Sequence, residues 1–475
     1  MSRGNLTTKF NLIEYRQMRK QGAGLVTSAE LHYEKMTKTP VAKLILKLGL
    51  PTTVSMLVTS IYNVADTYFV GTLGPSAQAA TGILFALQAV IQGLAFMLGH
   101  GSGTFVTKCL ADKDAKKAST YVSSAFFLGG AVGLTIMTFG LIFLTPLVKL
   151  LGSTDTILPH AKDYAMWILI ASPFMICSLI LNNNLRFEGK AFYAMFGLTA
   201  GGLLNIFGDW LLVTRLNMGV YGAGLATAFS QFVSFSILLI LYFKKAQSTI
   251  SPRCMSREFR TYLSIMRVGL PSLIRQGLTA ISGSVLNNLA KPFGDAAIDA
   301  MAVVNRYSMF VMCVGLGLGQ GFQPVAAFNY EAKKYSRVKK GLLFTMFFSL
   351  FLVGCLAVAS FVFADSIVSL LQSDAQVIEI GATALRYAAV GLLFMPLSVP
   401  VNMLYQSIQK AGIASLLSSL RSGALLIPAL LIGVPLLGLT GLQIAQPLSD
   451  CLTGLISIPF IIHFLIKTPM EAAET

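Results

Sequence analysis

Charge is scarce in this chain, and so are the residues on which most enzymes rely. Asp, Glu, Lys and Arg make up only 12% of its 475 residues, hydrophobic residues make up 55%, and the mean hydropathy is +0.70. A soluble globular domain carries about 25% charged residues, so water is excluded as the main solvent. There are four His and no His–carboxylate metal cluster, nucleophile elbow or Walker loop, which argues against an enzyme or an ATP-driven machine. His100 is the one His deep in an apolar stretch, and it reads as a packed or hydrogen-bonded helix residue. The six Cys are scattered without a CxxC pair and read as apolar filler rather than metal or disulfide chemistry. Short alternating apolar and polar segments are missing, which excludes a spanning β-barrel. No apolar run occurs in the first 40 residues, so a cleaved signal peptide is not expected.

What is present is a series of apolar stretches, each long enough to cross a hydrocarbon core as a helix. They fall at 42–71, 77–107, 118–148, 158–184, 190–214, 219–244, 260–290, 296–328, 338–364, 378–408, 412–434 and 438–466, which predicts twelve spanning helices. The net charge of +16 would suit a nucleic-acid binder if it formed a patch, but the basic residues follow the membrane instead. With both termini placed in the cytoplasm, only Lys149, Lys162, Arg215 and Lys291 fall in outer joints, and only Arg275, Arg306, Arg386 and Arg421 lie within spans. That is the positive-inside bias, and it predicts a multi-pass protein of the plasma (inner) membrane whose partner is the lipid bilayer and not nucleic acid.

The chain also repeats itself. Gly49, Leu50, Pro51, Gly74, Ala77, Ala80, Gly99, Gly101 and Lys113 recur 220 residues later as Gly269, Leu270, Pro271, Gly294, Ala297, Ala300, Gly319, Gly321 and Lys333. Tyr164, Pro173 and Gly189 find counterparts in Tyr387, Pro396 and Gly412, and Gly219, Gly222 and Ala226 in Gly438, Gly441 and Ala445. The predicted fold class is therefore an all-α integral membrane protein with two six-helix lobes related by a parallel pseudo-two-fold repeat. Residues 1–41 form a basic cytoplasmic tail, 42–244 the N-terminal lobe, 245–259 a cytoplasmic linker, 260–466 the C-terminal lobe and 467–475 a C-terminal tail. Two lobes about a shared cleft are a recurring transporter design.

Ionisable residues inside spans cost at least about 2.5–3.5 kcal/mol each on insertion scales and mark function or a partner. Asp66 lies five residues before Gly71, and Asp209 six before Arg215, so both fall roughly 7–10 Å below the same rim. Asn205 shares a helical face with Asp209, and Thr227 reaches a similar level on the next helix. Two carboxylates, an amide and a hydroxyl offer hard oxygen ligands suited to Na⁺, and two neighbouring acids also suit a proton. The repeat places Leu286 and Ile432 opposite these acids, so the C-terminal lobe lacks them and holds Arg275, Arg306, Arg386 and Arg421 against Asp450 instead. Pro51 removes a backbone hydrogen bond four turns before Asp66 and is a candidate bending point or helix start.

With the run Ile61-Tyr62-Asn63-Val64-Ala65-Asp66-Thr67-Tyr68-Phe69-Val70-Gly71, Pro51 fifteen positions before Asp66, Asn205 four before Asp209 and Thr227 eighteen beyond it, the chain resembles the multidrug and toxic compound extrusion (MATE) family over residues 42–466. The resemblance implies a monomeric antiporter without cofactor that exports organic, cationic or amphipathic compounds in exchange for Na⁺ or H⁺ by alternating access. It also implies that Asp66, Asn205, Asp209 and Thr227 hold the cation. Some relatives use acids on the seventh and eighth helices; Asn287, Asn288, Gln320 and Gln323 stand there here, which argues against a second ion site. Gln88, Gln92, Met312, Gln320 and Gln323 are candidate cleft residues, with plain interhelical packing as the alternative. A major facilitator transporter fits less well, because the loop Leu110-Ala111-Asp112-Lys113 carries only part of that family's pattern. A lipid-linked oligosaccharide flippase is the runner-up and would line its cleft with several cations.

Overall fold

A computed structural model describes residues 28–469, and every regular element in it is helical. The short helix α1 (Ser28–Lys38) precedes the N-terminal lobe of α2 (Val41–Gly71), α3 (Pro75–Ala111), α4 (Ala115–Ile142), α5 (Leu144–Leu150), α6 (Leu158–Phe187), α7 (Ala191–Asp209) and α8 (Gly219–Lys245). The C-terminal lobe comprises α9 (Phe259–Ala290), α10 (Asp295–Glu331), α11 (Tyr335–Val362), α12 (Ala364–Ser369), α13 (Ala375–Leu392), α14 (Met395–Ser407), α15 (Ala411–Ser419), α16 (Leu426–Leu437) and α17 (Leu439–Lys467). The helical turn widens at Trp210–Arg215, after α7, and at Leu420–Ala424, after α15. Ten helices are long and apolar enough to span a bilayer alone, counting each widened turn within its helix, and α13 with α14 adds an eleventh that bends by 50°. The twelfth crossing is α9, 32 residues long, whose apolarity is diluted by Arg260, Arg267, Arg275 and two adjacent Asn.

The repeat is visible in the backbone as well as in the sequence. Lys113 and Lys333 both turn with positive φ (60° and 58°), as do Gly74 and Gly294 (116° and 87°) and Gly219 and Gly438 (61° and 60°). Asn182 donates to the Ala194 carbonyl at 2.9 Å, and Asn402 repeats this to Ala414 at 2.6 Å. One sequence pairing shifts: the left-handed turn at Gly189 is matched by Gln409 rather than Gly412. The turn bonds around it, Lys190 N to Leu185 O and Lys410 N to Tyr405 O, keep the same spacing as Asn182 and Asn402.

The lobes meet through α2 against α10 and α3 against α9, near the end that carries the basic joints. Without side chains, glycine lets backbones approach, and lipid offers no stronger force than such packing. A Cβ on Gly101 would lie 2.0 Å from the Ile265 carbonyl oxygen, one on Gly269 1.8 Å from that of Met97, and one on Gly321 2.4 Å from Gly49 Cα. Toward the opposite end the lobes part, and a Cβ on Gly82, Gly277 or Gly283 would touch nothing.

The segments flanking the N-terminal lobe are tied down. Residues 28–38, read from sequence as part of a tail, form α1 and bury Met36 and His32 against α10, where Phe328 meets the His32 ring edge-on at 5.4 Å. Asn329 and Arg337 donate to the Met36 carbonyl at 3.2 and 3.3 Å. Burial, with Lys35 and Lys190 nearby, pushes the His32 pKa down to about 3. Residues 1–27 and 470–475 of the two tails lie outside the described residues. In the linker, the amides of Thr249, Ser251 and Ser256 donate to Ser119, Ser123 and Ser124 on α4 at 2.9, 3.1 and 2.9 Å. The Gln247 amide donates to buried Glu188 at 2.5 Å.

Candidate functional site

Along α7, Gly197, Gly201, Asn205 and Asp209 recur every four residues and are all buried. Their stripe faces α8, whose Leu238, Ser234 and Ala226 come so near that a Cβ on Gly197, Gly201 or Gly208 would lie 2.4, 2.7 or 2.9 Å away. Close packing of this kind carries Asn205 onto Thr227, with Asn205 Nδ2 donating to Thr227 Oγ1 at 3.2 Å. Asn205 is 1% exposed and Asp209 0%. From α2, which packs against α7, Asp66 enters the same region. Tyr164 on α6 donates its hydroxyl to Asp66 Oδ2 at 2.7 Å and also meets Thr227.

The acceptor oxygens are the notable feature. Asp66 Oδ1, Asn205 Oδ1 and both Asp209 oxygens are buried and accept no hydrogen bond. Buried acceptors nearly always have partners, and charged ones especially so. No Lys or Arg forms an ion pair with either acid among the described residues. The arrangement is an oxygen-lined pocket that lacks its positive complement, which a hard cation or a proton would supply. No cluster of three or more His, Cys, Asp or Glu exists among the described residues, so a transition-metal centre has no ligand set there.

Beside this pocket an open cavity lies between the lobes. Of the cleft residues expected from sequence, Gln92, Met312 and Gln320 line it. Gln88 and Gln323 do not: Gln88 lies 3.5 Å from the Tyr164 hydroxyl, behind Asp66, and Gln323 is buried with a 3.1 Å bond to Gln406. Both turn toward neighbouring helices, where Gln323 is buried and Gln88 half-buried, and an amide out of water needs a partner. Tyr62 and Asn63 on α2, Gly201 and Gly202 on α7 and Gln231 on α8 form the wall shared with the acid pocket. Pro51 sits well away, near the closed end, and α2 runs through it as one helix with Ser55 Oγ donating to its carbonyl at 3.1 Å.

Beneath the cavity a buried polar layer joins the lobes. Arg186 on α6 binds Gln320 across the interface and Asn183 at 2.6 Å, while His100 meets Ser272 at 2.7 Å, which Gln406 also reaches at 3.0 Å. Sequence reasoning placed Arg186 in an inner joint, because it lies past the last residue of its apolar run; the helix continues to Phe187 and buries it. Tyr164 was noticed only as a repeat residue, and nothing in its own neighbourhood along the chain signals Asp66. Of the remaining in-span cations, Arg421 pairs with Asp450 at 2.7 Å, Arg386 pairs with Asp365 near the far end, and Arg306 is exposed.

Twelve crossings, two lobes and a cavity walled by both define a multi-pass membrane transporter rather than an enzyme. A profile of the MatE family matches residues 51–211 and again 271–431, so the chain belongs to that family, once in each lobe. It is 29% identical to the multidrug export protein MepA of Staphylococcus aureus over 450 residues, covering 94% of this chain and 98% of that one. Among solved structures it is similar to a MATE in complex with MaL6, with a TM-score of 0.86 and 24% identity over 91% of this chain and 98% of that one. It is also similar to a multidrug resistance MATE family transporter of the MOP superfamily solved in an outward-facing conformation, with a TM-score of 0.86 and 23% identity over 92% and 98% of the two chains.

Proposed function

We propose that the chain exports organic, cationic or amphipathic, compounds by alternating access, in exchange for Na⁺ or H⁺ held by Asp66, Asn205, Asp209 and Thr227. The observation that carries this reading is the set of four buried acceptor oxygens without donors on two helices, α2 and α7, that also wall the cavity. Two carboxylates this close are unfavourable together unless a cation or a proton sits with them. Loading that ion lets α2 draw toward α7 and α8, and since Tyr62 and Asn63 lie one turn before Asp66, the cavity wall moves with it. Pro51, where the α2 backbone already lacks one hydrogen bond, is the point at which the helix bends.

The family name of the S. aureus relative, a multidrug export protein, supports the export of varied compounds. Flexible Met and neutral amide side chains on the cavity wall suit ligands of varied shape. The bias of Lys and Arg to the closed end supports both termini in the cytoplasm of a bacterial plasma membrane, with the cavity opening outward. One chain contains both lobes, the ion pocket and the cavity, which is consistent with action as a monomer. A flippase reading has less support, since only Arg186 and Arg275 line the main cavity.

The test is dye efflux from proteoliposomes under separately imposed Na⁺ and proton gradients, comparing the native chain with Asp66→Asn and Asp209→Asn. Both variants should insert and fold, and both should lose gradient-driven export. Undiminished export by both would end the proposed ion site.

A further inference from the structure

The cavity that separates the lobes has an unusual charge balance. None of its lining residues is Asp or Glu, yet Arg275 and Arg186 both reach it. Arg186 is held by two neutral amides, and its Nε is buried with no partner. Arg275 stands near mid-length on α9, and among the described residues its guanidinium has no hydrogen bond or ion pair. One helix away, Arg421 shows how this lobe treats a cation that is purely structural: its Nε meets Asp450 Oδ1 at 2.7 Å, and Gln446 bonds the same oxygen at 3.1 Å. Arg275 borders the side pocket where Arg421 also lies, but Asp450 is committed to Arg421.

The geometry points to a compound with one carboxylate on an apolar body as the cargo of this cavity. Arg275 stands half-buried in this wall without a counter-charge, and a guanidinium binds a carboxylate through two parallel hydrogen bonds. The rest of the wall suits the apolar part: Phe96, Met56, Met195, Met309 and Leu198 surround the same space. Gln92 on α3 and Gln276, next to Arg275 on α9, add neutral donors for the remaining carboxylate lone pairs. Neither Asp66 nor Asp209 is among the lining residues, so no acid on this wall opposes the anion site. This inference deepens the export reading by naming its substrate class, and it rests on that reading for transport but not for binding.

The test uses two probes that differ only in the anionic group, dansyl-phenylalanine and its carboxamide, with dansyl fluorescence reporting binding to the purified full chain. The native protein should bind the carboxylate at least about tenfold more tightly than the amide, about 1.4 kcal/mol. Arg275→Gln should bring that ratio toward one, and Arg275→Lys, which keeps the charge without the fork, should leave an intermediate ratio. Gel filtration and helical circular dichroism report whether each variant folds, and if Arg275→Gln fails, the Lys variant carries the comparison alone. Equal affinity for the two probes in the native chain, or full discrimination retained by Arg275→Gln or by Arg275→Lys, overturns the inference. Gradient-driven ethidium efflux without any carboxylate preference would overturn this inference and leave the export reading standing. A carboxylate preference in a chain that moves neither probe under either gradient would support the anion site and overturn the export reading.

Discussion

The two lobes share a fold, a repeat and even their turn geometry, but they handle buried charge in opposite ways. In the N-terminal lobe Asp66 and Asp209 carry oxygens with no donor, while in the C-terminal lobe Asp450 is matched by Arg421. Each lobe also widens a helical turn next to its buried charge, after Asp209 in one and at Arg421 in the other. Widened turns of this kind are frequent at functional sites. The common fold therefore does not require one treatment of buried charge: one lobe closes its polar interior with the Arg421–Asp450 pair, and the other leaves carboxylate oxygens without a donor.

Breaking the matched pair gives the largest expected effect. Asp450→Leu alone should lower stability by about 3–5 kcal/mol, because it strands Arg421 in the interior, whereas Arg421→Met with Asp450→Leu should recover most of that loss. Thermal denaturation in detergent measures both, and equal losses for the single and double variants would show that the pair does not compensate itself. A similar drop for Asp209→Leu is not expected, since that side chain has no partner to strand.

Tyr164→Phe sharpens the other side of the contrast. It removes the one donor to Asp66 Oδ2, a hydrogen bond to a charged group worth about 1.5–3 kcal/mol. The apparent cation affinity in efflux assays should change by about tenfold to a hundredfold while the chain stays folded. An unaltered cation dependence would remove Tyr164 from the pocket's function.

The smallest effect concerns α1, which leans on the C-terminal lobe. The folded His32 has a depressed pKa and an ordinary value near 6.5 once undocked, so the undocked state binds more protons between about pH 3 and 6.5. Docking is therefore fully stable above that window and weakens as pH falls through it, by up to about 1.4 kcal/mol per unit. Hydrogen exchange of residues 28–38 should speed up at pH 5 relative to pH 7.5, and His32→Gln should flatten the pH dependence.

Much of the fold was legible from residue order, because a membrane crossing needs only a long apolar helix and a repeat needs only matching residues at a fixed offset. The first helix, expected at 42–71, is Val41–Gly71. The expected span at 378–408 hides a 50° bend, since apolarity measures length and not straightness. The stripe of Asn205 and Asp209 follows from helical spacing, but its meeting with Tyr164 and the burial of Arg186 depend on which helix packs against which. For Gln88 and Gln323 the sequence left both cleft lining and interhelical packing open, because composition does not tell a cleft-facing amide from one that faces a neighbour, and both bond to neighbouring helices.

By itself the sequence determined the solvent, the number of crossings, the duplication and the two acids at matching depth. Each of these depends on local apolarity or helical rise, and those are properties of short segments. Helix packing left four oxygens without donors, satisfied Arg421 and set Arg275 free on an acid-free wall. Those outcomes depend on partners far apart along the chain, brought together where glycines let the helices touch.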